Sequence, residues 1–445
     1  MSQYLAAAIF LSVIASLFVL DRDKEAVSSR ALWIPFVWLL ISGSRNISEW
    51  LQVNAPPVDT TDAYLEGNPT DRNGLTLLLA LGVIVLISRR RQVLAFLRAN
   101  PFLVLYFFYC GLSALWSDYP DVSFKRWFRA MGDVIMVLVV LTDTNWVVAV
   151  RRLLLRVGFL LVPLSILFIL FFPEIGRTYG RWDFQPSWTG VTTNKNSLGM
   201  VGMVYGLAGL WYFVEAWQSA KSSQRNHRLI AHGVFLSMVL WIIVKAHSAT
   251  ALSCFGFGAI LILVTGLLPF TRRPLLLNIL VAFVLVFAFS ALFLNIGLVE
   301  NLGRESNLTG RTDIWAAALH LTVNPVVGAG FESFWIGPRL LQMRSIDEGI
   351  NQAHNGYLEI YLNLGAIGLL LILLFIFSGL RHIHAAFRRE NDFAGLRLAY
   401  FVVAVIYSFT EAGFKMMHPI WIAFLLSTLA VPKILLPQSL PGEPA

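Results

Sequence analysis

Residues Gln352 to Leu380 read QAHNGYLEIYLNLGAIGLLLILLFIFSGL, and the second part of this stretch decides the fold class. Tyr361 to Leu380 holds no charged side chain, and a helix of about 20 apolar residues is long enough to cross a bilayer. Comparable runs are Tyr4–Leu20, Leu153–Phe172, Asn196–Trp217, Ala251–Phe270 and Leu275–Leu294. The chain of 445 residues is 57% hydrophobic and only 13% charged, with mean hydropathy +0.68. A water-soluble protein of this length has too little interior to hide so much apolar side chain, so lipid must be the solvent. In hydrocarbon each backbone polar group needs a partner within its own segment, and these runs suit helices rather than ~10-residue barrel strands. The expected fold is an all-α polytopic membrane protein with about 12 or 13 transmembrane helices. It forms a single membrane domain over 1–445, with a large, partly helical outer loop at 295–360. The His-Asn stretch leads into a span at 353–380.

Charge sets the orientation. Basic clusters at Arg22–Arg30, Arg89–Arg98, Arg151–Arg156, Lys221–Arg228, Arg272–Arg273 and Arg381–Arg397 alternate with more acidic loops. Assigning those clusters and Lys433 to the cytoplasm places 20 of the 34 Lys and Arg inside, against 8 of the 26 acids. That is the positive-inside pattern, so the net charge of +8 is a topology signal and not a nucleic-acid footprint. The first apolar run follows Met-Ser-Gln-Tyr with no basic region before it and reads as a retained span. The two cysteines, Cys110 and Cys254, lie in apolar segments and make no metal framework.

Three outer segments stand out: Ser44–Gly74, rich in Pro, Asp and Asn; Pro173–Lys195; and the long loop from Asn295 to about Tyr361. A connection beyond ~15 residues is usually functional or disordered. Within it, TGRTDIWAAALHLTVNP predicts a helix with Thr309 or Thr312 as N-cap and a stop at Asn324-Pro325. Ile314, Trp315, Ala318 and Leu321 or Leu319 suit a helix lying along the membrane surface.

The cytoplasmic loops are short, and the sequence has no Walker A element, no H-E-x-x-H and no Asp-rich metal cluster. An enzyme site is therefore expected on the outer side. That side carries Arg177, Arg181, Lys195, Lys245, Arg304, Arg311, Arg339 and Arg344. Arginine forks onto phosphate oxygens and stays charged. The plainer reading is that these side chains meet lipid headgroups or pair with Glu300, Glu305, Asp313 and Asp347. Gly310-Arg311 opens the expected helix, where free backbone N–H groups also favour an anion. His354, with Asn355 and Glu359 as an i, i+4 pair, makes a polar wall at one helix entrance. Here the plainer reading is a cap at Asn355 and an aromatic belt of Tyr357 and Tyr361.

GRTDIWAAALHLTVNPVVGAGFESF (Gly310–Phe334) followed by AHNGYLEIYLNLGAIGLLL (Ala353–Leu371) resembles the paired signature of the O-antigen ligase/polymerase superfamily. GVTTNKNSLGM (Gly190–Met200) is similar to its upstream element. DRDKEAVSSRALWIPFVWLLISGSR, from Asp21 to Arg45, resembles the branch of ExoQ-type exopolysaccharide polymerization proteins. The resemblance implies a metal-independent, cofactor-free glycosyltransferase with a GT-C-like helical fold in the bacterial inner membrane. Its substrates are implied to be polyprenyl-diphosphate-linked oligosaccharides at the periplasmic face, with a flippase and a chain-length regulator as associated proteins. Arg311 matches the G-R motif and His354 with Asn355 the H-N motif, which gives His354 and Arg311 the catalytic roles. Arg177, Arg181, Lys195, Lys245, Arg304, Asn355 and Glu359 are the expected substrate-binding set. One departure stands out: AHSATALSCF has Ala249 where many members carry an arginine. Donor and leaving group are the same for polymerase and ligase, so the two differ only in acceptor. A flippase of lipid-linked sugars is the rival class, and it predicts ionisable groups deep inside several spans.

Overall fold

The computed structural model describes residues 2–22, 28–52, 67–179, 185–267, 278–284, 286, 290, 308–346, 349–388 and 393–432. The chain begins with helices α1 (Gln3–Leu20), α2 (Trp33–Ser42), α3 (Ile47–Leu51), α4 (Pro69–Ser88), α5 (Arg90–Ala99) and α6 (Pro101–Leu112). Next come α7 (Pro120–Leu141), α8 (Trp146–Phe171), α9 (Pro173–Gly176) and a hairpin of β1 (Arg177–Tyr179) and β2 (Pro186–Trp188), with Arg177 opposite Trp188. After it follow α10 (Lys195–Gln218), α11 (Ser223–Lys245) and α12 (Ala249–Leu267). The last described helices are α13 (Leu308–His320), α14 (Pro338–Arg344), α15 (Gly356–Arg388), α16 (Ala394–Thr410) and α17 (Pro419–Thr428).

The architecture is the expected all-α, multi-pass membrane fold. Among the described residues seven helices (α1, α4, α8, α10, α11, α12 and α15) are long and apolar enough to cross a bilayer, or eight counting the bent pair of α5 with Pro101–Trp116. That is fewer than the expected 12 or 13: Arg30–Ser42, α16 and α17 are apolar but shorter, and most of the run at 275–294 lies outside the described residues. Helix breaks account for the short pieces. The 93° bend falls at Asn100-Pro101, where proline cannot continue a hydrogen-bonded ladder. Conversely, α4 is longer than its apolar core. Asn68 accepts from Thr70 N at 2.8 Å and Pro69 takes the first turn, so helix begins inside what reads as polar loop.

Small residues set the bundle's centre. Gly206 and Gly209 of α10 face α11, where an added Cβ would sit 2.5 Å from Val239 and 2.7 Å from Phe235. Close backbone approach of this kind is how membrane helices gain dispersion contacts without a hydrophobic driving force. At the basic end, Arg151 bridges Asp21 at 3.2 Å and Glu215 at 3.3 Å, tying α8 to α1 and α10.

The described part of the long loop, from Leu308 onward, forms a small core of its own. Ala318 is fully buried, and Ile314, Trp315 and Leu321 pack with Phe334, Leu340, Met343 and Ile350. The apolar face of α13 therefore covers the interior of this segment, where α14 folds back to meet it. The helix also begins at Leu308, before Thr309 and Thr312, and Asn324 makes a local turn by accepting from Val326 N at 2.9 Å. The loop plugs into α15, whose ladder breaks at Gly365 (φ +65°). Ala366 N and Ile367 N, freed by the break, donate to Pro325 O at 2.9 Å and Val326 O at 3.2 Å. A Cβ at Gly365 would meet Val326 O at 2.2 Å, so both the conformation and the space require glycine.

Candidate active site

Four segments converge at one end of the bundle: the turn before α15, the first turns of α13, the start of α10 and the end of α16. Glu411 stands at their centre. It leaves α16 in extended conformation (φ −145°, ψ 161°), and its own carbonyl accepts from Gly356 N at 3.1 Å. Its carboxylate Oε2 meets His354 Nδ1 at 2.9 Å. Its Oε1 accepts from Arg311 Nη2 at 3.3 Å and from Asn196 Nδ2 at 3.3 Å. Arg311 Nη1 also donates to Thr410 O.

The carboxylate is almost fully covered (8% exposed), whereas His354 keeps 34% of its side chain open. Burial pushes the Glu411 carboxyl up, but the His354 hydrogen bond and the charges of His354 and Arg311 outweigh it and hold it below the usual range. An ionised carboxylate only accepts, so Nδ1 carries the proton it shares, and Nε2 is the ring nitrogen left free to exchange a proton. His354 also holds a left-handed backbone (φ +50°), a conformation that costs on the order of 1–3 kcal/mol and needs support from its surroundings. That support is on both sides of Ala353: Trp315 Nε1 donates to Ala353 O at 2.8 Å, and Ala353 N donates to Glu359.

The structure thus brings His354 and Arg311 together, through a residue that the sequence reading does not name. The first charged partner of the imidazole is a carboxylate and not one of the expected cations. Asn355 does the work of a cap, its side-chain oxygen accepting from Tyr357 N and Leu358 N, each at 3.1 Å. The Glu359 carboxylate is engaged by Trp335 Nε1 at 2.7 Å and by Ala353 N, which anchors the turn behind His354. Arg177 donates from Nε to Ile169 O at 2.9 Å and stacks 4.7 Å from the centre of Trp188, with Lys245 5.7 Å from the same ring. Lys195 is exposed on the first turn of α10. Arg181 and Arg304 lie outside the described residues. Arg339, one of the cations expected on the outer side, pairs with Asp118 at 2.6 Å and holds the loop carbonyls of Ser333 and Phe334.

Glu411, Asn196, Arg45, Arg129, Lys415 and His418 are the residues at this end that the sequence reading leaves out of its site. Glu411 had a signal: it is the single acid between Phe393 and Pro432, at the close of an apolar helix and two residues before a glycine.

Residues 232–373, from α11 to the middle of α15, match the family model described as O-antigen ligase. The match covers about a third of the chain and marks this segment as similar to that family. No curated protein matches the chain. The superfamily carries out ligase- and polymerase-type glycosyl transfer with lipid-linked oligosaccharides at a membrane. The matched segment contains Lys245, Arg311, His354, Asn355 and Glu359, whereas Glu411 and Asn196 join the site from outside it.

Proposed function

We propose that this protein is an inverting, metal-independent polysaccharide polymerase. It transfers a polyprenyl-diphosphate-linked glycan to a hydroxyl of another lipid-linked repeat unit, at the periplasmic face of a bacterial inner membrane. The observation that carries the reading is Glu411 gripping His354 on one oxygen and Arg311 on the other. As the acceptor oxygen attacks the anomeric carbon, His354 Nε2 takes its proton. The bond from that carbon to the diphosphate oxygen breaks, and the polyprenyl diphosphate leaves with the electron pair. Diphosphate is a good leaving group, so a strong general acid is unnecessary. Glu411 keeps the ring in the tautomer that exposes Nε2 and stabilises the imidazolium that forms, as a triad carboxylate does. Arg311 and the neighbouring cations face the charge that develops on the diphosphate. Attack opposite the leaving group inverts the carbon. A GT-C-like helical scaffold and an undecaprenyl-type carrier fit this chemistry, with a flippase and a chain-length regulator supplying and limiting the substrate.

The test is purified protein with a defined polyprenyl-diphosphate oligosaccharide and a metal chelator. Longer lipid-linked products are expected, and none from His354→Ala. The preference for polymerase over ligase rests on the N-terminal resemblance. A deletion strain that loses exopolysaccharide and keeps normal lipopolysaccharide supports polymerase; one that shows bare lipid A-core indicates ligase. Sugar crossing a vesicle membrane with no chain lengthening would indicate a transporter.

A further inference from the structure

Helix α5 reads RRQVLAFLRA and carries three arginines and no acid. Its exposed side chains are Arg90, Arg91, Leu94 and Arg98, while the remainder of the helix is buried or half-buried. At about 100° of turn per residue, those four fall within roughly 100° of arc, so they form one face. Phe96 lies on the opposite side and is fully buried in the bundle.

A fixed corner holds this face outward. Helix α5 meets the helical piece Pro101–Trp116 at 93°. Asn100, 3% exposed, sits in the corner. Its side-chain nitrogen donates to Phe96 O at 2.8 Å and to Ala430 O at 3.0 Å, and its side-chain oxygen accepts from Ala430 N at 2.8 Å. The end of α5 is therefore tied to the segment after α17. A helix set square to a membrane-crossing neighbour lies along the bilayer plane. Guanidinium groups are costly in hydrocarbon, whereas Leu94, Phe96 and Leu97 are costly in water, so α5 belongs at the headgroup boundary.

The charges on this face have no internal partner. Arg89, one residue before α5, turns inward: its Nη1 donates to Val139 O at 3.0 Å, and its Nη2 lies 3.9 Å from Asp143. Arg90, Arg91 and Arg98 make no hydrogen bond or ion pair among the described residues. Neither α6 nor α17 carries a charged side chain. On α4 the charged residues, Asp71 and Arg72, stand about 27 Å along the helix from Arg89, and Asp71 is engaged by Ser48. Three positive charges thus face outward with no acid opposing them among the described residues.

The spacing selects the partner. Arg91, Leu94 and Arg98 stand at i, i+3 and i+7, so a leucine that is 54% exposed is flanked by two guanidinium groups. Arginine forks onto phosphate oxygens, and a leucine between two such forks meets acyl chain. A zwitterionic headgroup carries an ammonium that offsets its phosphate, whereas an anionic phospholipid presents net negative charge to all three arginines. A water-soluble phosphate has nothing for Leu94.

We infer that the face of α5 formed by Arg90, Arg91, Leu94 and Arg98 binds anionic phospholipid of the leaflet against which it lies. The face precedes residues 232–373 and shares no residue with the Glu411 site, so the inference is independent of the polymerase reading.

The experiment is native mass spectrometry of the full chain in detergent micelles titrated with phosphatidylglycerol or phosphatidylcholine, counting lipids retained per chain. Wild type should retain phosphatidylglycerol in preference, and added salt should weaken the preference. Arg91→Gln and Arg98→Gln should each weaken phosphatidylglycerol binding about fivefold, the weight of one basic residue near an anionic surface. The double variant should retain one phosphatidylglycerol fewer than wild type and bind phosphatidylcholine unchanged. Lysine at both positions keeps the charge and should restore most of the binding, a rescue that a folding defect does not predict. Equal retention of the two lipids by wild type, or wild-type retention of phosphatidylglycerol by the double glutamine variant, overturns the inference. Displacement by glycerol 3-phosphate as effective as by phosphatidylglycerol assigns the arginines to free phosphate and overturns it too. So does a dimer that the double variant loses without any lipid preference, which gives the face to a second copy of the chain.

Discussion

Glu411 holds His354 and Arg311 on opposite oxygens of one carboxylate, at 2.9 Å and 3.3 Å. Three residues separated by 57 and 100 positions in the chain thus act through one buried group. Charge-assisted contacts to a buried carboxylate are shared, so removing the centre disturbs both ends at once.

Glu411→Gln keeps the shape and removes the charge. The elongation rate at saturating substrate should fall by about 100-fold or more, the scale of a mis-set general base, with a smaller change in KM. Glu411→Asp should recover part of the rate. Single-turnover elongation with purified protein measures both, and a glutamine variant as fast as wild type would remove Glu411 from the chemistry.

Arg311→Lys retains one positive charge but cannot reach Thr410 O and Glu411 together. A loss of about 10- to 100-fold in elongation is expected, the range of one to two lost charge-assisted contacts. Equal rates for the two side chains would show that the fork is not used.

Acid should loosen this end of the bundle through Glu411. Its carboxyl lies below the usual value of 4.5 because the His354 and Arg311 contacts overcome the opposing effect of burial. A depressed carboxylate contributes stability that is full above the unfolded value and is lost as pH falls through the folded one. The difference in melting temperature between wild type and Glu411→Gln should therefore be largest near neutral pH and shrink below about 4.5. Thermal unfolding in detergent across pH 7 to 3 reads it out, and a constant difference would contradict the assignment.

His418 adds a second, separable acid response. Burial, helped by the charge of Lys415, pushes it down to about 4 against the opposing pull of Glu411, and its Nδ1 is buried with no hydrogen-bond partner among the described residues. The unfolded chain takes up this proton near the ordinary value of 6.5 and the folded chain resists it. Stability from the neutral ring is thus complete above about 6.5 and declines toward about 4. His418→Gln should flatten the melting curve in that window, whereas Glu411→Gln acts lower. A wild-type melting temperature that does not change between pH 6.5 and 4.5 would count against it.

Gly365→Ala tests the loop's seat. A left-handed residue with a Cβ 2.2 Å from Val326 O should destabilise the chain by roughly 2 kcal/mol or more, by strain and clash together. Detergent thermal melts should show the loss, and elongation should fall with it because His354 sits in the turn that leads into α15 and the displaced loop braces Ala353.

The membrane class and the helical fold were legible in the sequence, and the basic clusters gave an expected sidedness. These depend on composition and on runs such as Tyr361–Leu380, whose meaning is complete within one segment. The sequence also singled out His354 and Arg311, since both sit in short local motifs. Span lengths were less legible, because a cap at Asn68 and a break at Asn100-Pro101 move helix ends by hydrogen bonds and not by hydropathy. Asn355 carried two readings, substrate contact and helix cap, and its side-chain oxygen does cap α15. Tertiary structure alone decided that Glu411 joins His354 to Arg311, and that Arg89 turns to Asp143 while Arg90, Arg91 and Arg98 stay exposed. The physical reason is the same in both cases. A charge gains its meaning from its nearest counter-charge, and in this bundle those neighbours come from helices that only packing brings together.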